Sequence, residues 1–547
     1  MLFAKRGRTL RHAAIAFTAF SALSGCGGDG DDSDSAPSAT SPSATALDAE
    51  ARTKATAFVG YTRPDTYSKS VFEADILVPT RDGYQLTCNL TRPANPDGTA
   101  APGKFPSLLN PFTSYGRTLP EFENDLSSFA KKGYAVLWCN TRGSQGIAGG
   151  SPTRPESVTP VEPFSPREGQ DNYDVIEWMA AQPWSTGNVG QIGTSYGGIT
   201  SLRVAGLAPP HLKAIIPLMA PHDLYRSFYK DNGLRPTDAR NWAANCTIST
   251  GEATCTASLS AEWAAHPTDD AYWVARRANL GAIQVPVLFV GGTLDFWNQA
   301  LDERLAFMGN RDNVSTAFGP WPHVIPDSLN PELYNMYLAF FDRWVAGIAD
   351  APRAPKALAT AIQSKGGAPD WDGFAAWPPD SAQKHRYFLN STGVREGSPG
   401  VGTLQFTIGA DGTSPGLTLR TEPFTAAATL AGPMQVRLPL SFSATDANVI
   451  VKVASQGADG TITDMGYGAV QKASHLESSA SPSPRVPGQT YAFKMSIPSK
   501  YWKFKAGERM VFTITSSDKN YVSDSPPGVV TLTLGADTFI EAPLLPR

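Results

Sequence analysis

Histidine and cysteine are scarce in this 547-residue sequence, with seven of the first and five of the second. Chemistry that depends on an imidazole therefore has few residues to draw on. The cysteines show no C-x-x-C spacing, which removes the usual zinc and dithiol motifs. No repeat of fixed period is evident. The glycine-rich stretch "RGSQGIAGGSP" lacks the Lys-Ser/Thr ending of a phosphate loop and does not run straight into a helix, so it reads as a rim loop. Excess positive charge is missing too: the formal net charge is −4, which counts against a nucleic-acid partner. Nothing calls for a metal or a cofactor.

The N-terminus carries what the rest lacks. Lys5, Arg6, Arg8 and Arg11 precede the apolar run "AAIAFTAFSAL", far too short to span a bilayer but suited to the core of an export signal. The following "LSGC" resembles the lipobox of bacterial lipoproteins. That resemblance implies cleavage before Cys26, a lipid on its sulfur and, with Gly27 next, placement at the outer membrane on its periplasmic or outer face. Removal of residues 1–25, which hold four basic and no acidic residues, moves the formal charge to −8. Residues 26–56 lack large apolar side chains almost entirely and are expected to form a disordered tether.

At this length two or three domains are expected. Strand-like and amphipathic segments alternate from about 71 to 220, the pattern of a mostly parallel α/β sheet. The expected order is signal 1–25, tether 26–56, α/β core 57–222, an aromatic-rich helical cap 223–280, core again 281–350, linker 351–374, and a β-sandwich 375–547 whose short alternating strands sit between Gly, Pro and Asp turns. Four cysteines remain in the exported chain, Cys88, Cys139, Cys246 and Cys255. Three connectivities are possible, and Cys246 with Cys255 would close a short local loop, leaving Cys88 with Cys139.

The stretch "GNVGQIGTSYGGIT" (187–200) places Ser195 between Gly193 and Gly197. Chance supplies about 0.4 G-x-S-x-G matches in a chain this rich in glycine and serine, so context decides. Val189 and Ile192 suit a short buried strand before it, and Ile199, Leu202, Val204 and Leu207 suit a helix after it. Strand, sharp turn and helix are what a nucleophile elbow requires. A serine nucleophile needs a base and a carboxylate, which in α/β-hydrolases follow in the order acid, then histidine. Asp295 lies just past the buried strand "VPVLFVGG", and His323, in "GPWPH", follows the next strand. Of the other histidines, His12 is in the signal, His385 and His475 are in the sandwich, His211 and His222 precede the acid, and His266 falls in the cap.

From about residue 70 onward the chain resembles the serine hydrolases that include cocaine esterase, the Xaa-Pro dipeptidyl peptidases, glutaryl-cephalosporin acylases and α-amino acid ester hydrolases. The stretches that carry this are "VPTRDGYQL", "KKGYAVLWCNTRG", "DVIEWMAAQPWSTGNVGQIGTSYGG", "MAPHDLYR", "AHPTDDAYW", "GPWPH" and "WDGFAAWPP". The resemblance implies an α/β-hydrolase core with an inserted helical cap and a C-terminal jelly roll. It also implies Ser195 as nucleophile, Asp295 as acid, His323 as base and the Tyr196 backbone N–H as an oxyanion donor. The family's second donor is a tyrosine hydroxyl in "N-P-Y", where this chain has Asn110, Pro111 and Phe112, so Tyr115 or a nearby backbone N–H is expected to replace it. Asn140 stands where the family has Asp in "D-x-R-G", which leaves the role of Arg142 open. Thr113 and Ser114 stand where amine-recognising members carry an acid, so recognition of a free α-amine is not expected.

The leading expectation is a lipid-anchored serine hydrolase of small ester or amide substrates. Release of Xaa-Pro dipeptides is the sister reading, and a non-catalytic surface protein that binds through its sandwich is the alternative from another class.

Overall fold

Ten strands form one mixed sheet in the computed structural model, which describes residues 43–114, 128–143, 163–229, 232–237, 261–297, 299–309, 311–323, 330–361, 370–408, 414–522 and 524–546. They are β1 (Lys69–Pro79), β2 (Gln85–Ala94), β3 (Phe105–Thr113), β4 (Ala135–Asn140), β5 (Ser185–Thr194), β6 (Leu212–Leu218), β7 (Val287–Gly292), β8 (Val314–Gly319), β9 (Ala357–Thr360) and β10 (Trp371–Phe374). The spatial order is β1-β2-β4-β3-β5-β6-β7-β8-β9-β10. Pairs from β4–β3 through β8–β9 are parallel; β1–β2, β2–β4 and β9–β10 are antiparallel.

Successive side chains of a strand point to opposite faces, so a strand buried on both sides feeds two cores. In β7, Val287 and Phe289 join one apolar cluster, and Leu288 and Val290 join the other. The helix Pro166–Ala181 packs Val175, Ile176 and Met179 into the first cluster, and the helix Asn330–Trp344 packs Leu333, Met336 and Phe340 into the second. Helices on both faces leave the carboxyl ends of the parallel strands as the place where functional loops gather.

Two expected boundaries are corrected. Residues 44–56 of the expected tether are the body of a helix, Ala44–Val59, capped where Ala46 N–H donates to Ser43 Oγ at 3.2 Å. Its buried residues include Ala51, Ala55 and Phe58. Mostly small side chains make that face, which is why no apolar stripe stands out in the sequence. Asp48 ties the helix down by accepting from Ala375 N–H at 3.2 Å and Ser381 Oγ–H at 2.7 Å. The expected linker 351–374 contains β9 and β10, which extend the main sheet. At four residues each they are too short to display a period.

Within the expected cap, the described residues hold a π-helix Tyr225–Tyr229, a helix Ala271–Arg276 and a 3-10 turn Leu280–Ala282. Tyr229 stacks on Trp273 with centroids 4.8 Å apart, and Trp263 packs on Trp273 at 5.7 Å. The C-terminal part folds as a seven-stranded and a five-stranded antiparallel sheet around its own apolar core. Its longest pair, Ala428–Phe442 with Thr490–Phe504, runs antiparallel from Ala428↔Phe504 to Ser441↔Thr490.

A disulfide joins Cys88 to Cys139, which face each other across β2 and β4 with Cα atoms 4.1 Å apart. Cys139 also neighbours Phe112 across β4 and β3, so the bridge stiffens the sheet beside the loop after β3. Cys26, Cys246 and Cys255 lie outside the described residues. A bridge of this kind commonly contributes about 2–5 kcal/mol, largely by restricting the unfolded chain. The double variant Cys88→Ala/Cys139→Ala is expected to lose stability in that range, read from urea denaturation against the oxidised parent. An unchanged midpoint would show that the bridge contributes nothing.

Candidate active site

Ser195 sits between the last residue of β5 and the first turn of the helix Tyr196–Gly206. Its backbone adopts φ 57° and ψ −115°, a conformation costly for any residue with a side chain. Neighbours hold it there. Ser195 N–H donates to Leu218 O of β6 at 2.9 Å, and Ile199 N–H donates to Ser195 O at 3.0 Å. The two flanking glycines touch: a Cβ on Gly193 would stand 2.6 Å from the Gly197 carbonyl carbon, and one on Gly197 would stand 2.9 Å from Pro111 Cβ. Only hydrogen fits at either position, which is the physical content of the G-x-S-x-G spacing.

Asp295 and His323 come from the ends of adjacent parallel strands, β7 and β8. Thr293 N–H donates to Gly319 O at 2.8 Å and Leu294 N–H donates to Trp321 O at 3.2 Å, which stitches the two following loops together. As a result His323 Nδ1 lies 3.0 Å from Asp295 Oδ1. The Asp295 side chain is 2% exposed and that of His323 is 23% exposed, so the carboxylate is sequestered while the imidazole keeps an open side. Two aromatic residues directly after the acid hold the imidazole: the Phe296 ring stacks on it at 4.5 Å and the Trp297 ring meets it edge-on at 5.0 Å. Sequence reading gave these two no role. Their position next to the candidate acid was the available signal.

The remaining described histidines face other partners. His211 pairs with Glu177 at 2.6 Å, His266 with Asp270 at 2.7 Å and His385 with Glu396 at 2.9 Å. Ser474 Oγ lies 3.0 Å from His475 Nδ1. Burial, reinforced by Arg304, pushes His222 down to about 3, so it is neutral in the folded protein.

Behind Ser195 lies a second group that sequence reading missed. The Tyr196 hydroxyl donates to Glu168 Oε2, and Phe164 N–H donates to Glu168 Oε1 at 3.2 Å. Glu168 N–H in turn donates to Ser165 Oγ at 3.2 Å, so Ser165 caps the helix Pro166–Ala181, while the Glu168 carboxylate reaches back past the cap to Phe164 N–H. The string "SPRE", a serine cap followed by proline at the first helical position, was the available signal. Burial pushes the Glu168 carboxyl up to about 7, against the pull of the Tyr196 hydroxyl and Arg203. The side chain of the residue after the nucleophile is thereby pinned to a neighbouring helix.

Phe112 is 0% exposed and its ring belongs to the core; its carbonyl accepts from Thr200 Oγ1–H at 2.9 Å. Tyr115 lies outside the described residues. Arg142, whose role the sequence left open, grips Asp171 with Nε at 2.9 Å and Nη2 at 2.7 Å, reaches Asp82 with Nη2 at 2.9 Å, and lies 4.2 Å over the Tyr84 ring. Its carboxylate partners come from the β1–β2 turn and the helix Pro166–Ala181, and they join those two elements. That grip holds Asp82 well below the usual carboxylate range.

A family model for the X-Pro dipeptidyl-peptidase (S15 family) matches residues 82–325, and one for the X-Pro dipeptidyl-peptidase C-terminal non-catalytic domain matches residues 350–542. The cocaine esterase of Rhodococcus sp. (strain MB1 Bresler) is 28% identical over 397 residues, 61% of this chain. The match spans 65% of that relative's length, just under two thirds. A CocE/NonD family hydrolase from Staphylococcus aureus superposes with a TM-score of 0.73 at 21% identity, over 86% of this chain and 93% of the other. An α-amino acid ester hydrolase superposes with a TM-score of 0.68 at 18% identity, over 89% and 98%. These structural likenesses bear on the fold: an α/β-hydrolase sheet followed by an all-β domain. With both halves matched in order, the chain belongs to the cocaine esterase and Xaa-Pro dipeptidyl-peptidase-like family.

Proposed function

We propose that the protein is a serine hydrolase that cleaves carboxylic ester or amide bonds through an acyl-enzyme on Ser195. The observation that carries this reading is the His323–Asp295 contact of 3.0 Å after β7 and β8, at the same carboxyl edge of the parallel sheet where the strained Ser195 elbow follows β5. His323 removes the Ser195 hydroxyl proton as Oγ attacks the carbonyl carbon. The tetrahedral oxyanion is held by the backbone N–H of Tyr196, at the positive end of the helix it opens. Collapse expels the alcohol or amine, which takes its proton from His323. A water then gives a proton to His323 and attacks the acyl carbon, releasing the acid and restoring Ser195. Asp295 stays ionised throughout, fixing the imidazole and stabilising its cationic form. The second oxyanion donor, in place of the phenol that Phe112 lacks, is Tyr115 or, failing it, a backbone N–H of the same loop or a water.

The substrate has a modest acyl group, taken up beside the aromatic residues of the cap; Tyr225, Trp263 and Trp273 belong to the same apolar cluster as Tyr196 and Trp297. Release of Xaa-Pro dipeptides stays as a second reading because the matched family model carries that description. A panel of p-nitrophenyl esters, aryl amides and Xaa-Pro anilides separates the two by relative kcat/KM.

The chain also reads as a lipoprotein held at the outer membrane through Cys26, on the strength of the basic, apolar and "LSGC" sequence alone. In that reading two or more acyl chains give a stable anchor. Cells fed an alkyne fatty acid are expected to label the parent and not Cys26→Ser, with the variant moving to the soluble fraction; label retained on Cys26→Ser would refute the anchor.

A fluorophosphonate probe tests the hydrolase reading. It is expected to label the parent protein and not Ser195→Ala, and Tyr115→Phe is expected to lower kcat by about 10²-fold with the fold intact. Labelling that persists in Ser195→Ala would remove Ser195 as nucleophile, and an unchanged kcat in Tyr115→Phe would remove Tyr115 from the oxyanion site.

A further inference from the structure

The strand Thr490–Phe504 belongs to the C-terminal β-domain, yet two of its residues reach the hydrolase core beside the Asp295 loop. Ser499 N–H donates to Asp302 Oδ2 at 2.7 Å, its hydroxyl donates to Asp302 Oδ1, and Trp377 Nε1–H donates to Ser499 Oγ at 2.9 Å. The next residue, Lys500, is 1% exposed. Its ammonium donates to Thr293 O at 3.3 Å and to Tyr467 O at 3.0 Å. Thr293 is the first residue after β7 and lies two before Asp295.

Gly466, also from the β-domain, presses on the same peptide. It has φ +90°, and a Cβ there would stand 2.4 Å from Thr293 O and 2.9 Å from Leu294 Cδ2. The backbone N–H groups of Thr293 and Leu294 also donate to Gly319 O and Trp321 O on the path to His323. The segment 293–295 is therefore clamped between the chain that carries the base and a domain whose family description is non-catalytic.

Burying an amine is costly unless it is hydrogen-bonded, and an apolar side chain of similar length would fill the space without that cost. Burial pushes Lys500 down to about 7, opposed by Asp302 and Asp464 and reinforced by Lys452. Its hydrogen bonds to two carbonyls are something an apolar residue could not supply.

We propose that Lys500 is a positioning residue: by holding the Thr293 carbonyl it fixes the Asp295 loop against His323, so the β-domain completes the catalytic dyad. This rests on the hydrolase reading of Ser195, His323 and Asp295. Displacement of a reacting group by about 1 Å can cost about 10²-fold in rate.

The test uses the full chain with a p-nitrophenyl ester. Lys500→Met keeps the length of the side chain and removes its donors. It is expected to fold and to lose about 10-fold or more in kcat with KM changed far less. Ser499→Ala loosens the same strand from Asp302 without touching Thr293, and is expected to lower the melting temperature with kcat near the parental value. Should Lys500→Met fail to fold, Gly466→Ala decides, because it pushes the same carbonyl and should give the same kinetic signature. A parental kcat in whichever of the two folds overturns the proposal. A parent protein with neither turnover nor fluorophosphonate labelling takes the proposal down together with the hydrolase reading, whereas an active parent beside an unaffected Lys500→Met defeats the Lys500 proposal alone.

Discussion

The left-handed backbone of Ser195 is the constraint on which the rest of the site depends. A conformation of that kind costs about 1–3 kcal/mol and survives only where the surroundings over-determine it. Here the determinants come from four directions. β6 accepts the Ser195 N–H, the following helix closes on its carbonyl, Pro111 lies against Gly197, and Glu168 holds the Tyr196 phenol. The first three need residues that are small or backbone atoms alone. The fourth uses a buried carboxyl, which is why Glu168 departs so far from its ordinary titration range.

Acid and base are positioned by a different device. Parallel strands in register place equivalent residues side by side, as Gly292 and Gly319 show, so loops leaving β7 and β8 begin as neighbours. Two backbone hydrogen bonds between those loops then fix the distance over which Asp295 and His323 meet. The ring stack of Phe296 on His323 restricts the imidazole further. The β-domain reaches the same loop from outside through Lys500 and Gly466, and the cap joins that domain as well, with Thr237 N–H on Asn520 O and Val522 N–H on Arg235 O. The β-domain thus touches both the loop that carries the acid and the cap.

Features set by local pattern could be read from the sequence, and features set by long-range contact could not. The elbow, the strand before it, the buried β7 and the order of serine, acid and histidine all leave short-range traces: paired glycines, apolar runs, a carboxylate just past a strand. The disulfide followed once the strand order was assumed, because Cys88 and Cys139 fall opposite each other in it. The helix Ala44–Val59 escaped because its buried face is mostly alanine, and β9 and β10 escaped because four residues cannot show a period. Lys500 left no trace at all. A lysine in an alternating strand reads as a solvent-facing residue, and only the packing of a distant domain turns it inward onto a carbonyl.

The central claim is covalent: the substrate's acyl group passes through Ser195. Rapid-quench mass spectrometry during turnover of p-nitrophenyl butyrate addresses it directly. A burst of p-nitrophenol equal to the enzyme, with a butyryl group on the peptide carrying Ser195 that vanishes as substrate is exhausted, is the predicted result. Steady turnover without a burst and without acyl mass on that peptide, under conditions where deacylation has been slowed by low pH, would contradict the account.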